Sequence, residues 1–188
     1  MKAGTIIKTF KSQKGREVVV RTIEFDDLDG LLAYANALID EDTTVLLSGK
    51  PLTREEEEKY VKTEIEKMEK DTEITLVGII DGKIIAECNL RIGERRKSHT
   101  AGIGISVSKE FRSEGIGRKL FEILIGEAKK IGLKLLTLTY FESNQTALRL
   151  YESLGFKKSG TIPEALLYKE KYENEVIMHL PLSNSSDI

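Results

Sequence analysis

FRSEGIGRKLF, residues 111–121, sets two glycines one residue apart just where a helix should begin. Glycine is a poor helix former. Gly115 and Gly117 therefore mark either a tight turn or a place where a ligand comes very close to the backbone. On their C-terminal side the pattern is helical: Ile116, Leu120, Phe121, Leu124, Ile125 and Ala128 fall on one face as far as about Lys130. On their N-terminal side TAGIGISV (100–107) reads as a strand. A strand feeding a helix through glycines presents helix N-terminal amides, a natural seat for phosphate, with Arg112, Arg118 and Lys119 adding charge. The two familiar nucleotide loops do not fit. Gly115 and Gly117 are followed by Leu120 where a dinucleotide fingerprint needs its third glycine, and Gly102 and Gly104 by Val107. No glycine is set in the G-x-x-x-x-G-K-[ST] pattern of a P-loop. On spacing alone, a simple strand-to-helix turn stands beside a phosphate cradle.

The rest of the chain places this unit in a larger sheet. EVVVRTI (17–23) is β-branched and reads as a strand. Leu28, Leu31, Leu32, Ala35, Leu38 and Ile39 give a helix that DEDTT (40–44) breaks. Thr53 with Glu56 three residues on is a capping box that opens a second helix. Val61, Ile65 and Met68 form its narrow apolar stripe. ITLVGII (74–80), Asp81-Gly82 and KIIAECNLRI (83–92) predict a hairpin. KLLTLTY (134–140) is a strand, Ser143 or Asn144 caps a short helix ending near Leu154, and Gly155 stops it. FKKSG and NEVIMHL (174–180) close the chain as strands, and the polar tail SNSSDI (183–188) is expected to fray. The order β-α-α-β-β-β-α-β-α-β-β holds one evident strand–helix–strand crossover, so the sheet should be mixed rather than doubly wound.

Composition bounds the function. At 188 residues, 40% hydrophobic and 32% charged, the chain suits one soluble domain with a real core. A net charge of −2 argues against general nucleic-acid or membrane-surface binding. One cysteine, Cys88, excludes an internal disulfide; with His99 and His179 it makes no metal spacing. No apolar run reaches membrane-span length and the N-terminus lacks a signal-peptide core, so the expected location is the cytoplasm.

Arg112-x-x-Gly115-x-Gly117, between a strand and an amphipathic helix, resembles the R/Q-x-x-G-x-G/A signature of the GCN5-related N-acetyltransferases. ESNQTALRLYESLGF (142–156) resembles their second signature, N-x-x-A-x-x-x-Y-x-x-x-G-F, with Asn144, Ala147, Tyr151, Gly155 and Phe156 in register. The element order is similar from about residue 16 to 180, and the ending KYENEVIMHL resembles the ribosomal-protein N-acetyltransferase-like branch. The resemblance implies a single acetyltransferase domain over 1–188 with the acyl-CoA N-acyltransferase fold. That is an α/β (α+β) fold with a mixed, twisted, mostly antiparallel sheet of about seven strands, flanked by about four helices. Two strands, ending near Val107 and starting near Leu135, should splay to admit pantetheine. Acetyl-CoA is the implied co-substrate, with no metal. Ile105, Ser106 and Val107 are implied to offer strand backbone to the pantetheine arm. Arg112, Ser113, Glu114, Gly115, Ile116, Gly117, Arg118 and Lys119 would wrap the pyrophosphate with backbone N–H groups. Asn144 would bond near the pantetheine, and Tyr151 would sit by the sulfur and protonate the leaving thiolate. The region between Asp40 and Lys70 would form much of the acceptor site.

The implied reaction is attack of a primary amine on a thioester. Only on the order of 0.1% of a lysine-like amine is neutral at pH 7, so a base must help. Members that carry a glutamate five residues before the motif asparagine have it where this chain has Thr139; others place it where this chain has Gly102 and Gly104. Glu87 on the hairpin strand, Glu142, His99 and Glu41 are the candidates left, and a water chain would also serve. The run REEEEK (54–59) reads as the solvated face of a helix, or as an acidic rim for a cationic substrate. ERRK (94–97) reads as a charged loop, with a role at the coenzyme's 3′-phosphate as its second reading. The acceptor stays open among a protein or peptide α-amine, a polyamine and a small amino compound. A homodimer fits the family. The rival function is a non-catalytic coenzyme-A-binding sensor or partner subunit.

Overall fold

The structure, a computed structural model, describes residues 1–182; the tail at 183–188 lies outside the described residues. Among the described residues eight strands form one sheet in the order β1-β2-β3-β4-β5-β6-β8-β7, with four α-helices. The strands are β1 (Ile6–Lys11), β2 (Glu17–Thr22), β3 (Glu73–Ile80), β4 (Lys83–Ile92), β5 (Thr100–Val107), β6 (Leu135–Phe141), β7 (Lys157–Tyr168) and β8 (Lys171–Pro181). The helices are α1 (Leu28–Glu41), α2 (Arg54–Glu69), α3 (Ile116–Lys130) and α4 (Gln145–Ser153). β5 and β6 pair in parallel, through Thr100–Leu135, Ala101–Leu136 and Gly102–Thr137; the β1–β2, β2–β3, β3–β4, β6–β8 and β7–β8 pairs are antiparallel. The chain divides into two compact units: Met1–Arg91 with Gly104–Leu124, and Ile92–Ile103 with the chain from Ile125 on.

In the first unit α1 and α2 cover the sheet. Ile23, Leu28, Leu31, Val61, Met68 and Val77 are buried together, with Tyr60, Ile65, Ile79 and Ile84 packed against them. Local chemistry fixes the ends of these elements. Thr53 Oγ1 accepts from the Glu56 amide while Glu56 accepts from the Thr53 amide at 2.8 Å, the capping box read from the sequence. Asp81 (φ 49°) and Gly82 (φ 75°) both take the left-handed conformation a two-residue hairpin turn requires.

The second unit alternates buried and half-exposed residues along β6, with Leu136, Leu138 and Tyr140 opposite Leu180, Met178 and Val176. Asn144 Oδ1 caps α4 by accepting from the Ala147 amide at 3.0 Å. Gly155 (φ 92°) ends it, and the Phe156 amide donates back to the Tyr151 carbonyl at 3.0 Å.

The sequence predicts about seven strands; the structure has an eighth, β1. None of its six residues is buried and Ile6 is 65% exposed, so this edge strand carries no apolar alternation to read. β7 and β8 also run further than expected. Their distal ends are exposed, and Pro163 and Glu164 (φ 54°) sit in a register shift between Ile162 and Leu166. The loop at 94–97 contains a short 3₁₀ turn, Arg95–Lys97.

Candidate active site

In the first unit the chain leaves β5, makes a 3₁₀ turn at Lys109–Phe111, and enters α3 through residues 112–115. Ser113 (φ 60°) and Gly115 (φ 76°) are left-handed, so the turn is sharp. Side chains pin it from both flanks. Arg112 makes a bidentate pair with Glu41 at the end of α1, at 2.5 and 2.7 Å, and its Nε donates to the Val107 carbonyl at 2.9 Å. Glu114 is 1% exposed and accepts from Ser12 Oγ at 2.8 Å, with Lys14 Nζ at 3.2 Å and Arg16 Nε at 3.8 Å. Burial alone would push the Glu114 carboxyl up, but the Ser12 hydroxyl and the Lys14 and Arg16 charges outweigh it and hold the group below the usual carboxylate range. The Gln13 amide donates to the Glu114 carbonyl, and a Cβ on Gly115 would meet the Gln13 side chain at 3.2 Å.

Gly115 is therefore required by the turn itself and by the β1–β2 loop packed on it. The side chains of Arg112 and Glu114 brace the turn from within the protein, which leaves their backbone amides as what they could offer a pyrophosphate. What the turn offers a ligand is backbone, together with the first-turn amides of α3 that include Gly117. Ile116 is buried in the core. Arg118 and Lys119 are about half exposed, and both reach Glu122, at 4.0 and 2.9 Å.

Ile105, Ser106 and Val107 are half-buried at the end of β5. Tyr34 on α1, absent from the sequence reading, donates its hydroxyl to Ser106 Oγ at 2.8 Å and is held protonated by burial. That bond ties α1 to β5. Glu87 is half-buried on β4 and accepts a short hydrogen bond from the Tyr60 hydroxyl of α2. Burial pushes its carboxyl up to about 7. The Glu57 and Glu64 charges add to the rise, while the Tyr60 bond and Arg91 oppose it. Tyr60 is pushed up as well, first by burial and then by the Glu87 charge.

The other base candidates have different surroundings. Glu41 is engaged by Arg112. Glu142 accepts from Asn174 Nδ2 at 2.7 Å and lies 3.8 Å from Lys158. His99 is exposed. A Cβ on Gly104 would approach Asn89 Oδ1 at 3.1 Å, whereas one on Gly102 would meet nothing within 4 Å.

In the second unit Tyr151 is 9% exposed on α4. Its ring stands edge-on to Tyr140 at 5.7 Å and tilted to Phe156 at 6.1 Å. Burial, with a smaller effect from Tyr140, pushes its phenol up to about 12, so it keeps its proton throughout the neutral range. Asn144 caps α4 through its side-chain oxygen. Among the described residues no group of three or more His, Cys, Asp or Glu side chains is arranged to hold a metal. No helix among them is long and apolar enough to cross a membrane.

Residues 35–156 match the Acetyltransferase (GNAT) family. The chain belongs to that family. Its GNAT signatures are the turn before α3 and the Asn144–Phe156 segment that holds α4. A ribosomal protein bS18-alanine N-acetyltransferase of Escherichia coli is 38% identical over 79 residues, 42% of this chain and 53% of that protein. The L-amino acid N-acetyltransferase AaaT of the same species is 28% identical over 105 residues, 55% of this chain and 65% of that protein. The chain thus spans about half the length of the first of these curated relatives. Among solved structures, a GNAT-family acetyltransferase from Streptococcus pneumoniae superposes with a TM-score of 0.78 at 28% identity, over 87% of this chain and 99% of that one. The mostly antiparallel sheet and four helices are the GNAT acyltransferase fold.

Sequence reasoning missed Tyr34, Tyr60, the buried Glu57, and the bracing by Ser12. Their partners lie 72, 27 and 102 residues away for Tyr34, Tyr60 and Ser12, with no local pattern to announce them. For Glu57 the helical phase of Val61 and Met68 was an available signal.

Proposed function

We propose that this chain is a single-domain, acetyl-CoA-dependent N-acetyltransferase acting on a primary amine by direct attack in a ternary complex. The observation that carries the reading is the braced turn before α3. Its two charged side chains, Arg112 and Glu114, are tied back by Glu41 and Ser12, and its left-handed residues keep the amides close to the α3 N-terminus. A backbone cradle of this kind fits a pyrophosphate. Residues 112–119 hold the coenzyme there, and Ile105, Ser106, Val107 and Asn144 bind its pantetheine arm. When bound, the coenzyme supplies the thioester.

Glu87 is the base. With a carboxyl near 7 it is about half ionised at neutral pH, so its ionised form is available to accept the ammonium proton, least steeply from an α-amine with a reference value of about 8. The amine nitrogen then forms the N–C bond, the C–S bond breaks with its electron pair leaving on sulfur, and the proton that the nitrogen sheds as it becomes an amide ends on that thiolate, giving the free thiol of coenzyme A. Tyr151 donates a hydrogen bond to that thiolate. A phenol near 12 faces a thiol with a reference value near 8.5, so complete proton transfer is uphill and the stabilisation is by the hydrogen bond. The bS18-alanine acetyltransferase likeness supports an amine acceptor of this type.

Thermal melting tests the cradle. Acetyl-CoA at 100 times its dissociation constant should add about 2.7 kcal/mol, or about 5–10 °C for a chain of this size. Gly115→Ala places a Cβ at φ 76° against Gln13, so it should lower the unliganded melting point by the equivalent of about 1 kcal/mol or more and shrink the ligand-induced shift. A wild-type melting point unmoved by acetyl-CoA would refute the cradle.

A further inference from the structure

The β1–β2 hairpin gives its buried polar contacts to one place. None of the β1 residues is buried, yet Ser12, at the hairpin tip, is 6% exposed. The tip closes on itself. The Ser12 amide donates to the Arg16 carbonyl and the Gly15 amide to the Ser12 carbonyl, both at 2.8 Å, with Gly15 left-handed at φ 80°. The Ser12 hydroxyl accepts from the Lys14 amide at 3.3 Å and donates to Glu114 Oε2 at 2.8 Å.

From there the tip runs along the turn before α3. The Gln13 amide donates to the Glu114 carbonyl at 2.9 Å, and the Gln13 side chain fills the space a Cβ on Gly115 would need. Lys14 Nζ and Arg16 Nε stand 3.2 and 3.8 Å from Glu114 Oε1. The Arg16 guanidinium also lies 4.9 Å from the centre of the Phe111 ring and 3.4 Å from Glu110. Glu114 sits between two left-handed residues, Ser113 (φ 60°) and Gly115 (φ 76°). A left-handed residue with a side chain is strained and persists only where its surroundings hold it. Glu114 is held at its carboxylate and at its carbonyl, and both holds come from the β1–β2 tip. A buried carboxylate that loses its hydroxyl donor has reason to leave.

We propose that Ser12 and Glu114 are positioning residues for the coenzyme: without touching it, they fix the backbone amides of the turn, so that the β1–β2 tip and the coenzyme site are energetically coupled. This rests on the reading of that turn as the coenzyme cradle. The coupling is reciprocal. If the closed tip favours the ligand, the ligand must favour the closed tip by the same factor.

Calorimetric titration with coenzyme A reads the coupling without chemistry. Ser12→Ala removes the hydroxyl and leaves the backbone bonds of the tip, and it should raise the coenzyme A Kd by about fivefold or more. Thr75→Ala is the matched control. Thr75 Oγ1 donates to the buried Glu64 carboxylate at 2.8 Å, the same kind of bond on β3, so its loss should lower the melting point and leave that Kd alone. In hydrogen exchange, saturating coenzyme A should slow the Gln13 amide of the wild type by about the same factor, while the β3–β4 tip, residues 81–83, exchanges as before. That measurement decides the matter even if Ser12→Ala fails to fold. A Kd raised equally by both variants, or Gln13 exchange indifferent to bound coenzyme A, overturns the coupling while the cradle stands. No binding of coenzyme A by the wild type overturns the cradle, and the coupling with it.

Discussion

Replacing Glu87 with glutamine should lower kcat/KM for the amine by about 10²–10⁴-fold, the range of a lost general base. Glutamine keeps an acceptor for the Tyr60 hydroxyl, so the loss isolates the proton transfer from the packing. The wild-type pH profile should fall on the acid side with an apparent pKa near 7, where Glu87 takes up its proton. That limb should disappear in Glu87→Gln. The groups that set its position are Tyr60, Glu57 and Glu64 of α2 and Arg91 of β4.

The same residue should cost the fold stability at alkaline pH. The folded carboxyl sits near 7 against an ordinary value of 4.5. Between those values the folded protein binds the proton and the unfolded chain has released it. The contribution is therefore fully present below about 4.5 and is lost as pH rises through 7, at about 1.4 kcal/mol per pKa unit. Glu87→Gln should accordingly melt higher than wild type at pH 8 and show little difference near pH 4.5. A variant equal to wild type in both rate and pH-dependent melting would remove Glu87 from the mechanism.

Tyr151→Phe should cut kcat by about 10–100-fold and leave acetyl-CoA affinity close to wild type. The size of the loss comes from what a buried phenol near 12 can do: the variant forgoes one hydrogen bond to an anion, worth about 1.5–3 kcal/mol. The ring contacts with Tyr140 and Phe156 survive the change, so folding should hold. Measuring kcat together with acetyl-CoA binding separates an enzyme from a coenzyme sensor, because a sensor would bind as before and have no turnover to lose.

The parts of this fold legible in the sequence are those whose signals are local. The Asp81-Gly82 turn, the Thr53–Glu56 capping box, the Asn144 cap and the Gly155 stop each fall within four residues of chain, and the structure contains all of them. β1 was not legible because an edge strand with no buried side chain has no pattern to show. The charged run at 54–59 misled in part. Most of it is solvated, but Glu57 falls in the helical phase of Val61, Glu64 and Met68 and is buried. The signature residues Arg112 and Glu114 were readable as a place in the fold, not as a role. Only the long-range contacts with Glu41 and Ser12 show what their side chains do, which is to hold the turn. Glu87 was one candidate among several, and its distinction comes from Tyr60 and Glu57, which lie 27 and 30 residues away in the chain.

The most direct test of acetyl transfer is mass spectrometry of the amine after incubation with purified protein and acetyl-CoA, with thiol release followed in parallel. The account predicts an acceptor 42 Da heavier (about the mass of one acetyl group less a proton), formed one for one with free coenzyme A and slowed by Glu87→Gln and by Tyr151→Phe. Acetyl-CoA bound and returned intact, with no acetylated amine from alaninamide or any peptide N-terminus, would contradict it.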